Sequence, residues 1–373
     1  MNTPAFPPRG RWPLPSATPA GLEAAARFAQ EHECDWPRSL FLEDGRYIGT
    51  AYVNDQPPYD QPRGLVRARG GSSGLIIRGG EVLAHWGDLE RPDTSFSMAK
   101  SYLGLLSVVA LGQGLIGSVD DPVAATADRF PADDGFASAH NRAITWRHLL
   151  QQTSEWQGTL WGIPDRVDHH RQAGPSHDNS AKGTERALQA PGTRWEYNDV
   201  RVNRLALSLL QVFRRPLPDV MRETILDPIG ASPRWEWHGY DDADFPIDGQ
   251  PLRSVTGGGH WGGGIFASTA DHARVGLLVQ AGGTWAGQPV LDPARLRDML
   301  TPCPVQPLYG YLWWLNTDRG LYPSAPASSV FALGGGQHMI WVDPALELTV
   351  VVRWLAREHC DAFIARVLDA LPA

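Results

Sequence analysis

The stretch Ser97-Met98-Ala99-Lys100 opens an apolar run that continues to Leu111 and indicates a buried helix. A serine and a lysine three residues apart lie on the same face of such a helix. Burial disfavours the charged form of a lysine, and a lysine that is neutral part of the time can accept a proton from a neighbouring hydroxyl. The helix N-terminus also favours negative charge at the serine. The stretch therefore indicates an activated serine nucleophile.

The same spacing also occurs in ordinary helices, where the lysine buries its stem and extends its ammonium to water. In this chain Phe96 precedes the serine, and the run from Met98 to Leu111 is apolar on all sides of the helix. A lysine on a solvated helix lacks this enclosure. The surroundings therefore favour the catalytic interpretation of Ser97 and Lys100.

The composition is that of an ordinary globular protein, with 42% hydrophobic and 20% charged residues among 373. This length allows two subdomains around a sizeable core. The formal net charge of -8, without a long Lys/Arg cluster, argues against nucleic acid or an anionic membrane as a partner. The segment Met1–Arg11 lacks the apolar region of a secretion signal, and no later segment is apolar enough to span a bilayer, so we expect a cytoplasmic protein. The scattered Cys34, Cys303 and Cys360 are expected to be free thiols.

Strand and helix signals follow one another in a definite order. Leu75–Arg78 and Glu81–Trp86 are predicted strands joined by Gly79-Gly80, because paired glycines accept the positive φ of a two-residue hairpin turn. Helical patterns dominate from residue 97 to about residue 248. The remaining predictions are a first helix behind Thr18-Pro19, strands at Tyr309–Leu315, Met339–Val342 and Leu348–Trp354, and a final amphipathic helix from about Glu358 to Leu371.

Strands near both ends of the chain, with helices between them, predict an α+β fold. We expect an α/β sandwich whose central antiparallel sheet is built from both termini, with an all-helical region inserted between them. The predicted division assigns residues 1–96 and 251–373 to the α/β domain and residues 97–250 to a mainly helical domain. The active site is expected at their interface.

Several further stretches accompany the Ser-x-x-Lys motif. They are Gly114-Leu115-Ile116, Asp120-Asp121-Pro122, Thr145–Ser154, Pro191–Asp199 with Tyr197-Asn198-Asp199 at its end, Gly262–Asp271, Leu333–Gln337 and Val342-Asp343-Pro344. With these stretches, the chain resembles the serine hydrolases of the β-lactamase and penicillin-binding-protein superfamily. The resemblance is to the branch related to class C β-lactamases, which includes esterases, D-aminopeptidases and nylon-oligomer hydrolases. It extends from about residue 75 onward and implies a β-lactamase/transpeptidase-like fold.

The resemblance also implies roles for individual residues. Ser97 would attack a carbonyl, Lys100 would accept or relay its proton, and Tyr197 would be the second acid/base group. Whether Lys100 or Tyr197 is the principal base stays open. The oxyanion hole would combine the backbone N–H of Ser97 with one from the segment Gly336-Gln337.

Two departures from the family pattern affect the expected substrate. Asp199 stands where the second motif usually has asparagine, and it can still hold Lys100 by an ionic hydrogen bond. Gly334-Gly335-Gly336 replaces the Lys-Thr-Gly or His-x-Gly of the third motif, so a cation for a substrate carboxylate is missing there. This favours esters or amides without such a carboxylate, unless His338, His260 or an arginine takes its place.

The chain has fifteen tryptophans, which is a high count. Trp156, Trp161, Trp195 and Trp261 fall in segments that the family places near the catalytic pocket, where they would form an aromatic wall for an acyl or amide group. The alternative is that most of the fifteen fill the core.

Two other patterns compete with the serine motif. Gly70-Gly71-Ser72-Ser73-Gly74 satisfies G-x-S-x-G, but it precedes a strand, whereas a nucleophile elbow joins a strand to a following helix. Asp168-His169-His170 with His177-Asp178 lacks the helical spacing of a metal motif and is interpreted as a solvated loop. We therefore expect neither a metal nor another cofactor.

These observations predict a serine hydrolase that acts through an acyl-enzyme on a small-molecule ester or amide. Esterase activity ranks first, amidase or peptidase activity second and β-lactamase activity third. The alternative is a catalytically silent binding or regulatory protein of the same fold. Retention of Ser97, Lys100 and Tyr197 together favours the enzyme, because a binding protein has no need of an ionisable lysine buried behind a serine. The oligomeric state stays open.

Overall fold

The computed structural model describes residues 6–9, 12–174 and 177–372. Its helices are α1 (Ala20–Glu31), α2 (Ile48–Tyr52), α3 (Met98–Gly112), α4 (Ala124–Ala127), α5 (Ala139–Arg142), α6 (Trp146–Leu150), α7 (Asp199–Phe213), α8 (Leu217–Met221), α9 (Thr269–Gln280), α10 (Pro293–Met299) and α11 (Cys360–Asp369). Its strands are β1 (Ser73–Arg78), β2 (Glu81–Trp86), β3 (Asp93–Thr94), β4 (Thr159–Leu160), β5 (Ile163–Pro164), β6 (Glu236–His238), β7 (Asp244–Ile247), β8 (Gln250–Arg253), β9 (Gly264–Ala267), β10 (Thr284–Trp285), β11 (Gln288–Pro289), β12 (Trp314–Leu315), β13 (Val330–Gly334), β14 (His338–Asp343) and β15 (Leu348–Arg353).

The main sheet has six antiparallel strands in the order β12-β13-β14-β15-β1-β2. Strands from the two ends of the chain meet where β15 pairs with β1, in the register Ser73 to Arg353. The hairpin turn between β1 and β2 is made by Gly79 and Gly80, whose φ values are 57° and 86°. The predicted sheet built from both termini, with a glycine turn between β1 and β2, is therefore confirmed.

Helices cover both faces of this sheet. On one face, Trp86 of β2 lies 6.0 Å from Phe363 of α11, measured between ring centroids; α1 packs against β2 and α11. Trp86 of β2 and Val352 of β15 both pair with Gly74 of β1, so their side chains lie on the same face of the sheet. Side chains alternate along a strand, so Thr349 of β15 points to the opposite face. There a Cβ atom added to Gly276 of α9 would lie 2.6 Å from Thr349. The result is a three-layer arrangement of helix, sheet and helix.

The central helix of the remaining part is α3, whose residues from Met98 to Leu111 are all buried. It packs against α7, α10 and β13, so it joins the helical part of the chain to the sheet. A helix that is apolar all round is a core helix. The fold therefore holds Lys100 away from solvent, as the apolar run predicts.

A second sheet, β3-β9-β6, lies beside the start of α3, because β3 ends only a few residues before it. The region from residue 97 to residue 250 holds α3 to α8 but also the short strands β4 to β7 and the first residue of β8. It is therefore mainly helical without being all-helical, which corrects that part of the prediction. The division into two domains at these residues stays a prediction.

Other boundaries differ in detail from the expected ones. α1 begins at Ala20 with Pro19 as its N-terminal flanking residue, so Thr18 does not cap it. Of the strand predicted at Tyr309–Leu315, only Trp314–Leu315 pairs in the sheet, because Leu312 has a φ of 60° that interrupts extended backbone.

The three cysteines are buried free thiols. Within the described ranges, no helix combines the length and the apolar character needed to cross a bilayer.

Candidate active site

Ser97 and Lys100 meet at the start of α3. Ser97 is the residue that flanks the first turn, and its hydroxyl makes no capping hydrogen bond to the helix. Lys100 Nζ donates a hydrogen bond of 2.9 Å to Ser97 Oγ, and the lysine side chain is only 1% exposed. The spacing of three residues thus produces the predicted contact, and the serine hydroxyl is directed at the lysine instead of at the helix backbone.

The start of α7 brings the second set of side chains to the same place. Asn198 caps this helix by accepting a hydrogen bond from the backbone N–H of Arg201. Tyr197 and Asp199 flank the cap residue. Asp199 Oδ1 lies 2.5 Å from Lys100 Nζ, and Lys100 Nζ lies 4.6 Å from the centroid of the Tyr197 ring. The aspartate that departs from the family pattern therefore holds the lysine in a buried ion pair.

Asp199 is fully buried and surrounded by positive or ionisable groups. Arg171 Nη1 lies 3.0 Å from Asp199 Oδ1, and His260 Nδ1 lies 2.5 Å from Asp199 Oδ2. Burial opposes the ionisation of Asp199, but the charges of Arg171 and then Lys100 outweigh it and hold the pKa of the carboxyl well below its ordinary value. The carboxylate is therefore ionised at neutral pH.

The backbone passes very close to this carboxylate at Gly258. A Cβ atom added there would lie 2.0 Å from Asp199 Oδ2, which no side chain can tolerate. Gly258 also lines the cavity described below. The glycine at position 258 is therefore explained by the close approach of the backbone to the charged site.

A second layer of charge lies behind Asp199. The backbone N–H of Asp199 donates to Asp168 Oδ2 at 2.7 Å, and Asp168 lies 3.1 Å from both Arg171 and Lys182. Lys182 also pairs with the buried Asp55. Burial opposes the ionisation of Asp168, but Arg171 and then Lys182 lower the pKa of its carboxyl to about 2.

Part of this layer has the composition of a metal site. Among the described residues, Asp55, Asp168 and His260 offer three potential ligand atoms within 4.8 Å of one another. The ammonium of Lys182 is paired with both of these carboxylates. A divalent cation would have to displace this internal cation, so the cluster fits its own lysine better than it fits a metal.

The predicted histidine loop is divided between different partners. His169 is buried and bonds to Asp165 at 3.1 Å, whereas Asp168 belongs to the charge layer behind the active site. His177 is exposed. The interpretation of Asp168 and His169 as solvated loop residues is therefore wrong, because both are buried in ion pairs or hydrogen bonds.

A cavity of about 250 Å³ opens over Ser97 and Tyr197. Its wall is largely apolar and aromatic and includes several polar groups. The lining includes Trp36, Tyr52, Phe96, Trp314, Leu321, Tyr322 and Leu333, together with Arg171, His177, His260, Gln337 and Arg357. A cavity of this kind binds the apolar body of a small molecule and orients it through a few polar groups.

The tryptophans at this cavity are not the expected ones. Trp156 and Trp261 are almost fully buried, and their indole N–H groups bond to the carbonyls of Gly135 and Tyr59. Trp195 packs 6.1 Å from Tyr197, measured between ring centroids, so it supports the site from behind. None of these three is among the described residues that line the cavity, where Trp36 and Trp314 lie instead.

The glycine segment after β13 passes beside the nucleophile. A Cβ atom on Gly334 would lie 2.2 Å from the carbonyl oxygen of Ser95, so this glycine allows the strand to approach the start of α3. Gly336 and Gln337 follow with φ values of 71° and 51°. Gln337 lines the cavity, whereas Gly336 lines an adjacent groove. The segment is thus in reach of the site, with Gln337 the closer of the two predicted residues.

The two histidines proposed as substitute cations are both engaged inside the protein. His338 is fully buried and its Nδ1 accepts a hydrogen bond of 2.8 Å from Arg353 Nε. His260 is held between Asp199 and Asp55. The arginine at the site, Arg171, was not singled out by the sequence, nor were Asp55 and Lys182. Their charges carry no local pattern that distinguishes them from solvated loop residues.

The competing serine is placed as predicted, before a strand. Ser72 Oγ accepts a hydrogen bond of 3.1 Å from the indole N–H of Trp86 and donates to the carbonyl of Ala29. It therefore serves the packing of α1 on the sheet.

Comparisons with known proteins agree on the fold. A family model described as beta-lactamase matches residues 63–354. A penicillin-binding-protein homologue from Caulobacter crescentus is similar in structure, with a TM-score of 0.61 and 15% identity over 96% of this chain and 99% of that one. A family VIII carboxylesterase has a TM-score of 0.57 and 16% identity over 81% and 93% of the two chains. A beta-lactamase from Mycobacterium bovis has a TM-score of 0.55 and 20% identity over 80% and 94%. A sequence comparison with curated proteins gave no match. The predicted β-lactamase/transpeptidase-like fold is confirmed.

Proposed function

Since the chain belongs to the beta-lactamase family, we propose that it is a serine hydrolase that cleaves a small ester or amide through an acyl-enzyme. The observation that carries this proposal is the contact of 2.9 Å between Lys100 Nζ and Ser97 Oγ on the floor of the cavity. A nucleophile and its proton acceptor within hydrogen-bond reach, at the base of a cavity, are the arrangement that covalent catalysis requires.

In the first half of the reaction, Ser97 Oγ bonds to the substrate carbonyl carbon while its proton passes to Lys100 or Tyr197. The backbone N–H groups of Ser97 and Gln337 receive the negative oxygen. As the C–O or C–N bond breaks, the leaving alcohol or amine takes up the proton, and the acyl group stays on Ser97. Water then attacks the acyl carbon and gives a proton to the same acceptor. The bond between that carbon and Ser97 Oγ breaks, Oγ takes the proton back from the acceptor, and the acid leaves.

The cavity supports an uncharged, largely apolar substrate. Its aromatic and aliphatic wall suits an acyl or aryl group, and the third-motif segment offers glycines in place of a lysine or histidine. We therefore rank esters first, amides second and β-lactams third. The family VIII carboxylesterase among the structural neighbours is consistent with this order.

The test compares Ser97→Ala, Lys100→Ala and the double variant in the hydrolysis of a short-chain aryl ester. Each single variant should lose nearly all activity, and the double variant should be no slower than the slower single variant, because the two residues act as one unit. Ser72→Ala is the matched control and should hydrolyse the ester like the wild type. Circular dichroism checks folding; Lys100→Ala should fold because Asp199 keeps Arg171 and His260. A Ser97→Ala variant with wild-type activity would refute the proposal.

A further inference from the structure

Arg171 is the buried group of the site that neither the motifs nor the proposed reaction uses. Its side chain is 5% exposed, and Nη1 lies 3.0 Å from Asp199, 3.1 Å from Asp168 and 3.3 Å from His260 Nδ1. Its guanidinium carbon lies 5.1 Å from the centroid of the Tyr197 ring. Arg171 also lines the cavity together with Ser97. The guanidinium thus reaches the neighbourhood of both groups that can accept the serine proton.

The negative charges at this place require a cation. Asp199 stands where the family pattern has a neutral asparagine, and its backbone N–H binds the second carboxylate, Asp168. Two buried carboxylates side by side are unfavourable unless a cation lies between them. Lys100 pairs with Asp199 and Lys182 pairs with Asp168, and Arg171 is the group that contacts both carboxylates. Arg171 therefore balances the charge that Asp199 adds to the site.

The third-motif segment, Gly334-Gly335-Gly336, has no side chain that could balance the charge of Asp199. Gly334 leaves no room for one, because its Cβ atom would meet the carbonyl of Ser95 at 2.2 Å. His338 is turned inward to Arg353. The Tyr197 ring lies instead against two cations from other elements, Lys100 at 4.6 Å and Arg171 at 5.1 Å.

We propose that Arg171, instead of a third-motif side chain, is the positioning residue that balances the charge of Asp199 and whose positive charge opposes a proton on the acceptor beside Ser97. The proposal rests on the proposed serine-hydrolase function. It also accounts for the substrate preference, because the charge of Arg171 is used on Asp199 and Asp168 and is not free for a substrate carboxylate.

The charged and titratable groups that face the proton acceptor come from several elements. They are Lys100 of α3, Asp199 of α7, Asp168 of the short turn at Asp165–Asp168, Arg171 and His260 of loops, and Tyr309, whose ring lies 6.4 Å from that of Tyr197. Removal of Arg171 leaves Asp199 and Asp168 without the cation that contacts both of them. Whether the acceptor is Lys100 or Tyr197, it then gives up its proton only at higher pH.

The experiment measures kcat and KM for an uncharged aryl ester from pH 5 to pH 10 in the wild type, Arg171→Gln, Arg171→Lys and Arg171→Gln/Asp199→Asn. In Arg171→Gln we expect kcat to fall about a hundredfold with KM within threefold, and the acid limb of kcat/KM to move up by about one pH unit. Arg171→Lys should keep the limb at its wild-type position. The double variant removes one charge of each sign, so its limb should return to the wild-type position and its kcat should exceed that of Arg171→Gln at least tenfold.

Other results overturn the proposal. If Arg171→Gln keeps the acid limb of the wild type and a kcat within threefold of it, Arg171 does not position the proton acceptor. If kcat falls but the acid limb does not move, the role of Arg171 is only structural. If Arg171→Gln does not fold, the double variant Arg171→Gln/Asp199→Asn tests the proposal. An acid limb that lies a full pH unit from the wild-type limb in this variant contradicts charge balance. Labelling of Ser97 by a fluorophosphonate separates the two proposals. A wild type that is labelled at Ser97 while Arg171→Gln behaves normally refutes only the role of Arg171, whereas a wild type that is neither labelled nor active refutes both.

Discussion

Two buried histidines behind the active site should make the protein lose stability between pH 6.5 and pH 5. His272 Nε2 contacts Ser95 Oγ at 2.8 Å and its Nδ1 contacts the Tyr102 hydroxyl at 2.7 Å. His338 accepts a hydrogen bond from Arg353 through Nδ1. Burial, and after it the charge of Arg353, holds the pKa of both imidazoles well below the ordinary value of 6.5.

The sign follows from proton binding. In the unfolded chain both imidazoles bind protons below pH 6.5, whereas in the folded protein they stay neutral. The stability that they contribute is therefore complete above pH 6.5 and is lost as the pH falls below that value. For one histidine that stays neutral in the folded state, the loss between pH 7.5 and pH 5 is about 2 kcal/mol, and for two it is about 4 kcal/mol.

The assay is urea denaturation followed by tryptophan fluorescence at pH 5, 6, 7 and 8. We expect the difference in the free energy of unfolding between wild type and His338→Gln to shrink by about 2 kcal/mol from pH 7.5 to pH 5. The variant has only one of the two buried imidazoles, so it loses less stability as the pH falls. His272→Gln should behave in the same way. His177→Gln replaces an exposed imidazole and is the matched control, for which the difference should not depend on pH. Differences that are constant with pH for both buried positions would refute the assignment.

Three further predictions concern the charged site and the substrate. Gly258→Ala should lower kcat/KM at least a hundredfold, because its Cβ atom would lie 2.0 Å from Asp199 Oδ2 and displace this carboxylate; Gly112→Ala, where an added Cβ atom meets nothing closer than Cβ of Asp292 at 3.7 Å, is the control for activity, and equal rates of the two variants would contradict the geometry. Arg201→Met should lower the free energy of unfolding by about 3–5 kcal/mol in urea denaturation, since Arg201 pairs with three buried carboxylates, those of Glu155, Asp165 and Glu196, and its loss leaves them one cation short; a loss below about 1 kcal/mol would show that their other partners, Arg186 and His169, are sufficient. Nitrocefin turnover should be ten- to a hundredfold poorer than that of an uncharged aryl ester, because one charge-assisted hydrogen bond to the carboxylate, worth about 1.5–3 kcal/mol, is missing. If nitrocefin is instead cleaved as well as the ester, the ranking is wrong, and loss of that activity in Arg357→Ala would identify the cation at the cavity that binds the carboxylate.

A cation cannot be introduced at Gly334, because a Cβ atom has no room beside the carbonyl of Ser95. At Gly335 the nearest atom to an added Cβ is Cη2 of Trp36 at 3.1 Å, which a small shift of the ring can relieve. Gly335→Lys is therefore the variant that tests whether a cation in this segment helps a carboxylate-bearing substrate. Unchanged nitrocefin turnover in this variant would show that the segment does not bind the carboxylate.

The parts of the fold that the sequence predicts are those with a local signal. The helix from Met98 to Gly112 follows from a long, mostly apolar run, and the contact between Ser97 and Lys100 at its start follows from helical spacing. Strands β1, β2, β14 and β15 follow from β-branched and aromatic runs bounded by glycine or Asp-Pro turns, whereas β13 is not among the predicted strands.

The parts that it does not predict depend on contacts between distant segments. Lys182 pairs with Asp55, which is 127 positions away, and a lone charge in a polar segment gives no sign of such a partner. The tryptophans raise the same difficulty. Trp36 and Trp314 lie at the cavity while Trp156 lies in the core, and no local pattern separates an indole that lines a cavity from one that fills the interior.

The central claim is that Ser97 is the nucleophile. Intact-mass measurement after treatment with a fluorophosphonate probe tests it directly, using the wild type, Ser97→Ala and Ser72→Ala. The proposed function predicts a single adduct on the wild type and on Ser72→Ala and none on Ser97→Ala, since only the serine in contact with Lys100 is activated. An adduct that persists on Ser97→Ala, or a folded wild type that takes up no probe, would contradict the claim.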